Sequence, residues 1–296
     1  MGSRIGVNAH IPTAQDLNEI NRAGIGWARV DLTWDVVEPR PGDFRWGMID
    51  QMVARAEGEN IKLLGILGYC PAWASSGPSP YFPPRDRAEW KRFVTTIVSR
   101  YRGCIDYWCL WNEPNNDGFF VGSMDEFINE IFIPGAKAAK EANPNCRIVG
   151  PDLAQLGGSH WDKWLDAILA KAGPHIDVVS HHCYKQTPRE VFRALEKKQY
   201  PWDPDPPLAI IRKRGQGSKP FWLTETGWRS TRMTEERQAG LIVSFLKGVL
   251  ARPWIQRVFL FELKDSPSLP GYGLLRLDCT RKASYQAVKG FIAANP

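Results

Sequence analysis

The 296-residue chain has only six cysteines and five histidines. Cys70, Cys104, Cys109, Cys146, Cys183 and Cys279 are too few and too scattered for a disulfide scaffold at this length, and no C-x-x-C pair occurs. No window reaches the roughly 18 consecutive apolar residues of a membrane helix, so a membrane-spanning chain is excluded. Met1-Gly2-Ser3-Arg4 lacks the apolar run of a signal peptide. The expectation is a chain without one, secreted or extracytoplasmic only if a leader has been removed. The first β-type run, Ile5-Gly6-Val7-Asn8-Ala9-His10, does not open a G-x-G-x-x-G turn, and no P-loop occurs. Those absences remove a Rossmann dinucleotide site and a phosphate-cradling loop. Charge of one sign is also scarce, since 38 Lys+Arg against 32 Asp+Glu leave +6. Its densest cluster, Arg212-Lys213-Arg214, reads as a solvated helix end rather than a nucleic-acid patch. No low-complexity tract or linker divides the chain.

Aromatic residues, by contrast, are abundant: 13 Trp, 8 Tyr and 13 Phe, or 11%. Flat rings with a polar handle suit either a core or a cleft for an amphipathic ligand. Short β-type runs at 5–10, 27–32, 62–69, 105–113, 147–153, 176–184, 220–225 and 255–263 alternate with amphipathic stretches. The clearest of these are 46–59, 87–101, 123–142, 161–172, 234–250 and 282–293. Trp90, Phe93, Val94, Ile97, Val98 and Tyr101 mark one apolar stripe at helical spacing. Eight strand–helix units filling one chain predict an α/β fold, a (β/α)₈ TIM barrel forming a single catalytic domain over 1–296. The longer Pro/Gly-rich connections, 71–86, 185–207 and 265–275, mostly follow strands and would crowd the C-terminal rim. Trp73, Tyr81, Phe82, Phe119, Phe120, Trp202, Trp228 and Tyr272 lie on or beside such loops, which favours the cleft.

The fourth run ends Trp111-Asn112-Glu113-Pro114, and the seventh ends Trp222-Leu223-Thr224-Glu225-Thr226-Gly227. Each glutamate alone reads equally as a loop carboxylate. On a barrel, however, strands four and seven face each other across the mouth. Glycosidic bond cleavage needs such a pair, one protonated to expel the leaving oxygen and one ionised to attack the anomeric carbon. A separation near ~5–5.5 Å would make the enzyme retaining. Strict alternation puts Asn112 and Glu113 on opposite faces, so the strand end must bulge or bend for both to face the mouth. Gly227 permits close backbone approach. His181-His182-Cys183 cannot chelate one ion, because adjacent strand residues point opposite ways; no metal and no cofactor are expected. Arg29, in the apolar run Trp27-Ala28-Arg29-Val30-Asp31, is costly unless it meets a carboxylate, with Asp31 or Glu38 as one option.

Taken together, the two glutamate motifs resemble the retaining glycoside hydrolases of clan A, family 39 first and family 5 second. The resemblance implies Glu113 as acid/base, Glu225 as nucleophile and Asn112 as the residue binding the sugar 2-hydroxyl. His182 and Tyr184 match the clan's His-x-Tyr. The resemblance implies that Tyr184 hydrogen-bonds the nucleophile, that His182 lines the site near the acid/base, and that Arg29 sits by Glu225 and keeps it ionised. His181 should instead be buried against a helix. His10 would contact a sugar hydroxyl or simply pack, while Trp73, Trp202 and Trp228 would stack sugar rings. Strand eight departs from the family 5 pattern, offering Phe261 or no platform at its end, with Glu262 as a further site acid. Nothing is left over for the β-sandwich that several family 39 enzymes carry.

The reading is a retaining β-glycosidase, endo-acting on an oligo- or polysaccharide, with no nucleic-acid or membrane partner and no oligomeric state assigned. The alternatives are an exo-acting β-xylosidase-type enzyme and a catalytically silent glycan-binding barrel. A generic barrel aldolase would use Lys264 and lacks support from the motif pair.

Overall fold

The computed structural model describes residues 4–155 and 157–296; Met1, Gly2 and Ser3, read above for a leader, lie outside the described residues. Eight parallel strands close in chain order into a barrel. They are β1 (Ile5–His10), β2 (Trp27–Asp31), β3 (Lys62–Leu67), β4 (Tyr107–Leu110), β5 (Arg147–Ala154), β6 (Val178–His182), β7 (Phe221–Thr226) and β8 (Ile255–Leu260). Pairing of β1 with β8 completes the ring. The outer layer consists of α1 (Ala14–Arg22), α2 (Trp34–Val37), α3 (Trp46–Gly58), α4 (Arg87–Arg100), α5 (Met124–Glu126), α6 (Ile133–Ala142), α7 (Trp161–Ala172), α8 (Pro188–Glu196), α9 (Pro207–Lys213), α10 (Glu235–Leu250) and α11 (Ala283–Ala293).

Local chemistry sets these boundaries. Thr13 with Asp16, Ser123 with Glu126 and Thr187 with Glu190 form reciprocal capping boxes that open α1, α5 and α8. The stretch read as one helix over 123–142 contains a π-helical segment, Phe127–Phe132, just before Pro134. Proline has no N–H for the helical ladder, and the extra residue per turn absorbs that gap. The segment 185–207, read as a loop with a helical turn, instead carries the whole of α8, whose buried stripe is Val191, Phe192 and Leu195.

Strand alternation divides the barrel wall into two packing environments. Outward-facing Ala28, Val30, Leu63, Val179, Leu223 and Val258 join the main core beneath the helices. Inward-facing Trp27, Ile66, Cys109, Val149, Trp222 and Phe259 form a second apolar cluster. There the rings of Trp27 and Trp222 meet edge to face at 5.3 Å. Gly6 must be glycine beside this plug, because a Cβ there would sit 2.4 Å from the Phe259 ring. The floor is therefore plugged by aromatic side chains, with the Arg257 guanidinium stacked over Trp27 and Trp222, and the C-terminal mouth is left to the other polar groups of the interior.

Candidate active site

Arg29 lies two residues beyond Trp27 on β2 and so shares its inward face, one layer nearer the mouth. It is 3% exposed. Its guanidinium is the hub of the site: Nη1 donates to Asn8 Oδ1 (2.8 Å) and Glu225 Oε1 (2.7 Å), and Nη2 donates to Asn112 Oδ1 (2.8 Å) and Asp152 Oδ2 (2.9 Å). Asp31 and Glu38, the partners considered from sequence, are engaged elsewhere, with His10 and with Arg92 respectively. Asp152 is the residue that sequence reasoning missed. The argument applied to Arg29 could have found it, since it is a lone carboxylate inside the apolar run of β5.

The bend required after β4 is provided by two left-handed backbone conformations, Trp111 at φ 93° and Glu113 at φ 46°. They end the strand at Leu110, shorter than the run 105–113 suggests, because a left-handed residue cannot continue a pleated ladder. Trp111 turns outward into the core, its indole donating to Phe119 O (2.8 Å), while Asn112 and Glu113 both reach the cavity. The Glu113 amide is fixed by Asp152 O at 3.0 Å. On β7 the register against β6 runs His181↔Leu223 and then His182↔Glu225, so Thr224 is an extra residue. That irregularity lets Thr224 bond Asp152 Oδ1 and Glu225 reach the same cavity.

Glu113 and Glu225 are 8% and 7% exposed, and His182 stands between them. Its Nδ1 is 2.9 Å from Glu113 Oε1 and 3.5 Å from Glu225 Oε2. Tyr184 donates its hydroxyl to Glu225 Oε2 at 2.8 Å. Burial and the neighbouring Glu225 charge push the Tyr184 phenol well up, so it stays a donor. Burial would lower the His182 imidazole, but the charge of Glu225 and the hydrogen bond to Glu113 raise it. Burial alone would raise the Asp152 carboxyl, yet Arg29 and His182 hold it at about 2. His181 faces the other way, fully buried edge-on against Trp161 of α7, and burial lowers it to about 3. One donor atom each from Glu113, His182 and Glu225 lie within 4.8 Å of one another, the set among the described residues that could hold an ion.

Arg29, Asn112, Glu113, Tyr184 and Glu225 line a cavity of about 420 Å³ at the barrel mouth. His10 enters it from β1, bridging Asp31 Oδ2 (2.9 Å) and Glu262 Oε2 (3.0 Å). Burial acts to lower His10, but hydrogen bonds and charge from the two carboxylates push it up to about 10, in the direction that favours the imidazolium. Glu262 reaches this corner through His10, and Phe261 lines the cavity. Tyr69, Tyr81, Phe119 and Tyr272 supply aromatic walls, and Ile66, Arg229 and Leu269 complete the lining. Lys264 is paired with Asp16 at 2.9 Å and does not line the cavity.

The tryptophans assigned to the rim need correction. Trp228 is 3% exposed in the core, its indole donating to Gln186 O. Trp73 packs edge-on against Trp34 at 5.4 Å and donates to Glu38 O, away from the cavity. Trp202 is 80% exposed and stacks on Tyr200, also outside the cavity. Loop position does not fix ring direction, and a large indole whose N–H finds a backbone carbonyl is better placed inside.

Comparison with known proteins agrees with this fold. Residues 44–199 match the family described as Glycosyl hydrolases family 39. The chain is 25% identical over 255 residues to a beta-xylosidase of Caldicellulosiruptor saccharolyticus, covering 75% of this chain and 51% of that protein. It is 27% identical over 139 residues to endo-1,4-beta-xylanase A of Fusarium oxysporum, covering 45% of this chain and 42% of that protein. The chain thus spans about half the length of these relatives. Among solved structures, a family 39 glycoside hydrolase from Bacteroides cellulosilyticus superposes with a TM-score of 0.76 at 23% identity, over 98% of this chain and 64% of that one. A monomeric beta-xylosidase from Caulobacter crescentus gives 0.72 at 19% identity, over 98% and 68%. The barrel fold is shared across these structures, and the family match takes in more than half of the sequence, β4 with its glutamate included: the chain belongs to glycosyl hydrolase family 39.

Proposed function

We propose that the protein is a retaining β-glycosidase acting on a β-linked oligo- or polysaccharide, with the barrel as its catalytic domain. One observation carries this reading. Two buried glutamates at the ends of β4 and β7 bring carboxylate oxygens within 4.8 Å of each other, in the spacing class of double displacement. Glu225 is held by Arg29 and Tyr184 in the orientation of an ionised nucleophile, and Glu113 is the acid/base. Glu113 protonates the departing oxygen as Glu225 attacks the anomeric carbon, and a water deprotonated by Glu113 then releases the sugar. Asn112, whose carbonyl is fixed by Arg29, presents its amide N–H₂ for the 2-hydroxyl. Tyr69, Tyr81, Phe119, Phe261 and Tyr272 supply the apolar faces that sugar rings stack on, in place of the tryptophans.

The test is Glu225→Ala assayed with an activated aryl β-xyloside. Turnover should fall by several orders of magnitude, and near-wild-type turnover would sink the assignment. Proton NMR of the first product should show retained β configuration. The beta-xylosidase relative supports an exo-acting reading and the endo-1,4-beta-xylanase relative an endo-acting one. Xylohexaose separates them, since an exo enzyme releases only xylose and an endo enzyme releases xylo-oligomers.

A further inference from the structure

Among the described residues, Tyr200 and Trp202 are the aromatic side chains left exposed, at 47% and 80%; every other Trp, Tyr and Phe is buried or half-buried. These two are not scattered. They sit together in the segment that joins α8 to α9, with ring planes 6° apart and centroids 5.1 Å apart. Single apolar residues on a surface need no explanation, but two rings assembled in water do. The segment is built to hold them there. Asp203 Oδ2 accepts the amides of Gln199 (3.0 Å) and Tyr200 (2.8 Å), the Asp203 amide donates to Tyr200 O (3.1 Å), and Lys198 pairs with Asp205 at 2.9 Å. Pro201, Pro204 and Pro206 fix φ at three further positions. The stack is thus set in place before anything binds, which spares a ligand the cost of ordering it.

The chain on either side of the rings is polar: Lys197, Lys198 and Gln199 are exposed, and Asp203 and Asp205 are half-buried. A protein partner or a second copy would call for a contiguous apolar patch. A pyranose has the opposite shape, one apolar C–H face to lie on an aromatic ring and a rim of hydroxyls for polar neighbours. The position fits as well. Gln199 and Asp203, which flank the pair, line a surface depression together with Lys185 and Gln186. Those two line a second depression with Tyr184 and Tyr272, and Tyr184 and Tyr272 line the catalytic cavity. Shared walls therefore lead from the catalytic mouth to the segment that carries the stack.

We propose that the Tyr200–Trp202 stack is a second carbohydrate site, outside the catalytic cavity, that binds a sugar unit of a β-linked glycan chain and holds the enzyme on long substrates. The choice of a β-linked glycan rests on the glycosidase reading above. The test is migration of wild type, Trp202→Ala and Trp202→Phe in native gels containing soluble xylan, β-glucan or glucomannan. At least one polymer should retard the wild type, with an apparent Kd about tenfold higher for Trp202→Ala and largely recovered by Trp202→Phe, which keeps a stacking ring. Retardation by none of the three, or a Trp202→Ala Kd within about twofold of wild type, would overturn the proposal. Sedimentation velocity should give the same species for wild type and Trp202→Ala; a wild-type dimer that Trp202→Ala splits would overturn it in favour of contact between copies. In the hydrolysis arm, Trp202→Ala should raise KM for xylan about tenfold with kcat unchanged, and should leave the aryl β-xyloside rate as it was, since Trp202 does not line the catalytic cavity. An equal loss on both substrates would reveal a merely structural role and overturn the proposal. If Glu225→Ala keeps its turnover, the catalytic reading fails while the gel retardation is still read.

Discussion

Replacing Arg29 with methionine tests the electrostatic logic of the site most directly. Methionine keeps the length and the apolar stem but removes the cation that meets Glu225 at 2.7 Å and Asp152 at 2.9 Å. Asp152 is fully buried and held at about 2, against an ordinary value of 3.8. That depression corresponds to about 2 kcal/mol of stability, present above pH 3.8 and lost as pH falls through 2. Without Arg29 the sign reverses. Burial then dominates, the carboxyl rises above 3.8, and ionised Asp152 becomes a cost at neutral pH. Removing one partner of a buried pair costs about 3–5 kcal/mol, which in a chain of this size lowers Tm on the order of 10 °C. Urea titrations at several pH values give the readout. The gap between wild type and variant should be widest near pH 7 and narrow towards pH 4 as Asp152 takes up its proton. Adding Asp152→Asn to the variant should recover part of the loss. A gap below about 1 kcal/mol that does not change with pH would refute the reasoning.

Three further outcomes are expected. Tyr184→Phe deletes one hydrogen bond to the Glu225 carboxyl, worth roughly 1.5–3 kcal/mol, so kcat/KM on an aryl β-glycoside should drop about ten- to a hundredfold and Tm by a few degrees; an unaltered rate would remove Tyr184 from the site. Gly227→Ala would place a Cβ 2.3 Å from Phe261 O, and denaturant unfolding should show a loss of about 1–3 kcal/mol together with a higher KM, whereas a stability equal to wild type would mean the backbone there is free to move. The His10 ring protons should not titrate by NMR between pH 5 and 8, because the group is pushed up to about 10. Its stabilisation should be complete below pH 6.5 and fade as pH rises towards 10, so the gap between wild type and His10→Asn closes over that window; a midpoint near 6.5 would show that the two carboxylates do not hold it.

How far the sequence reached can be judged residue by residue. The eight β-type runs and the helices of the clearest amphipathic stretches are legible because binary patterning at periods of 2 and 3.6 is a local property. Arg29 was legible as a residue in need of a carboxylate, and Glu113 and Glu225 as strand-end acids, since each conclusion needs only the chain nearby. Which carboxylate Arg29 meets was not legible. Asp152 lies 123 residues away and becomes its neighbour only when β2 and β5 face one another across the closed barrel. The tryptophans failed for the same reason. Trp228 and Tyr272 share a rim in sequence terms, yet one turns into the core and the other into the cavity, and packing across several elements decides between them.

The sequence by itself therefore determined the order of the elements, the closed parallel architecture and the residue types available at the mouth. The tertiary structure alone decided which of those residues meet. Left-handed turns at Trp111 and Glu113 and the extra residue Thr224 on β7 rotate side chains that simple alternation would send to opposite faces. Those rotations, together with closure of the ring, bring Glu113, His182 and Glu225 within 4.8 Å around a single buried guanidinium. Alternation is a rule about neighbours, and a site assembled from six strands depends on the distances between them.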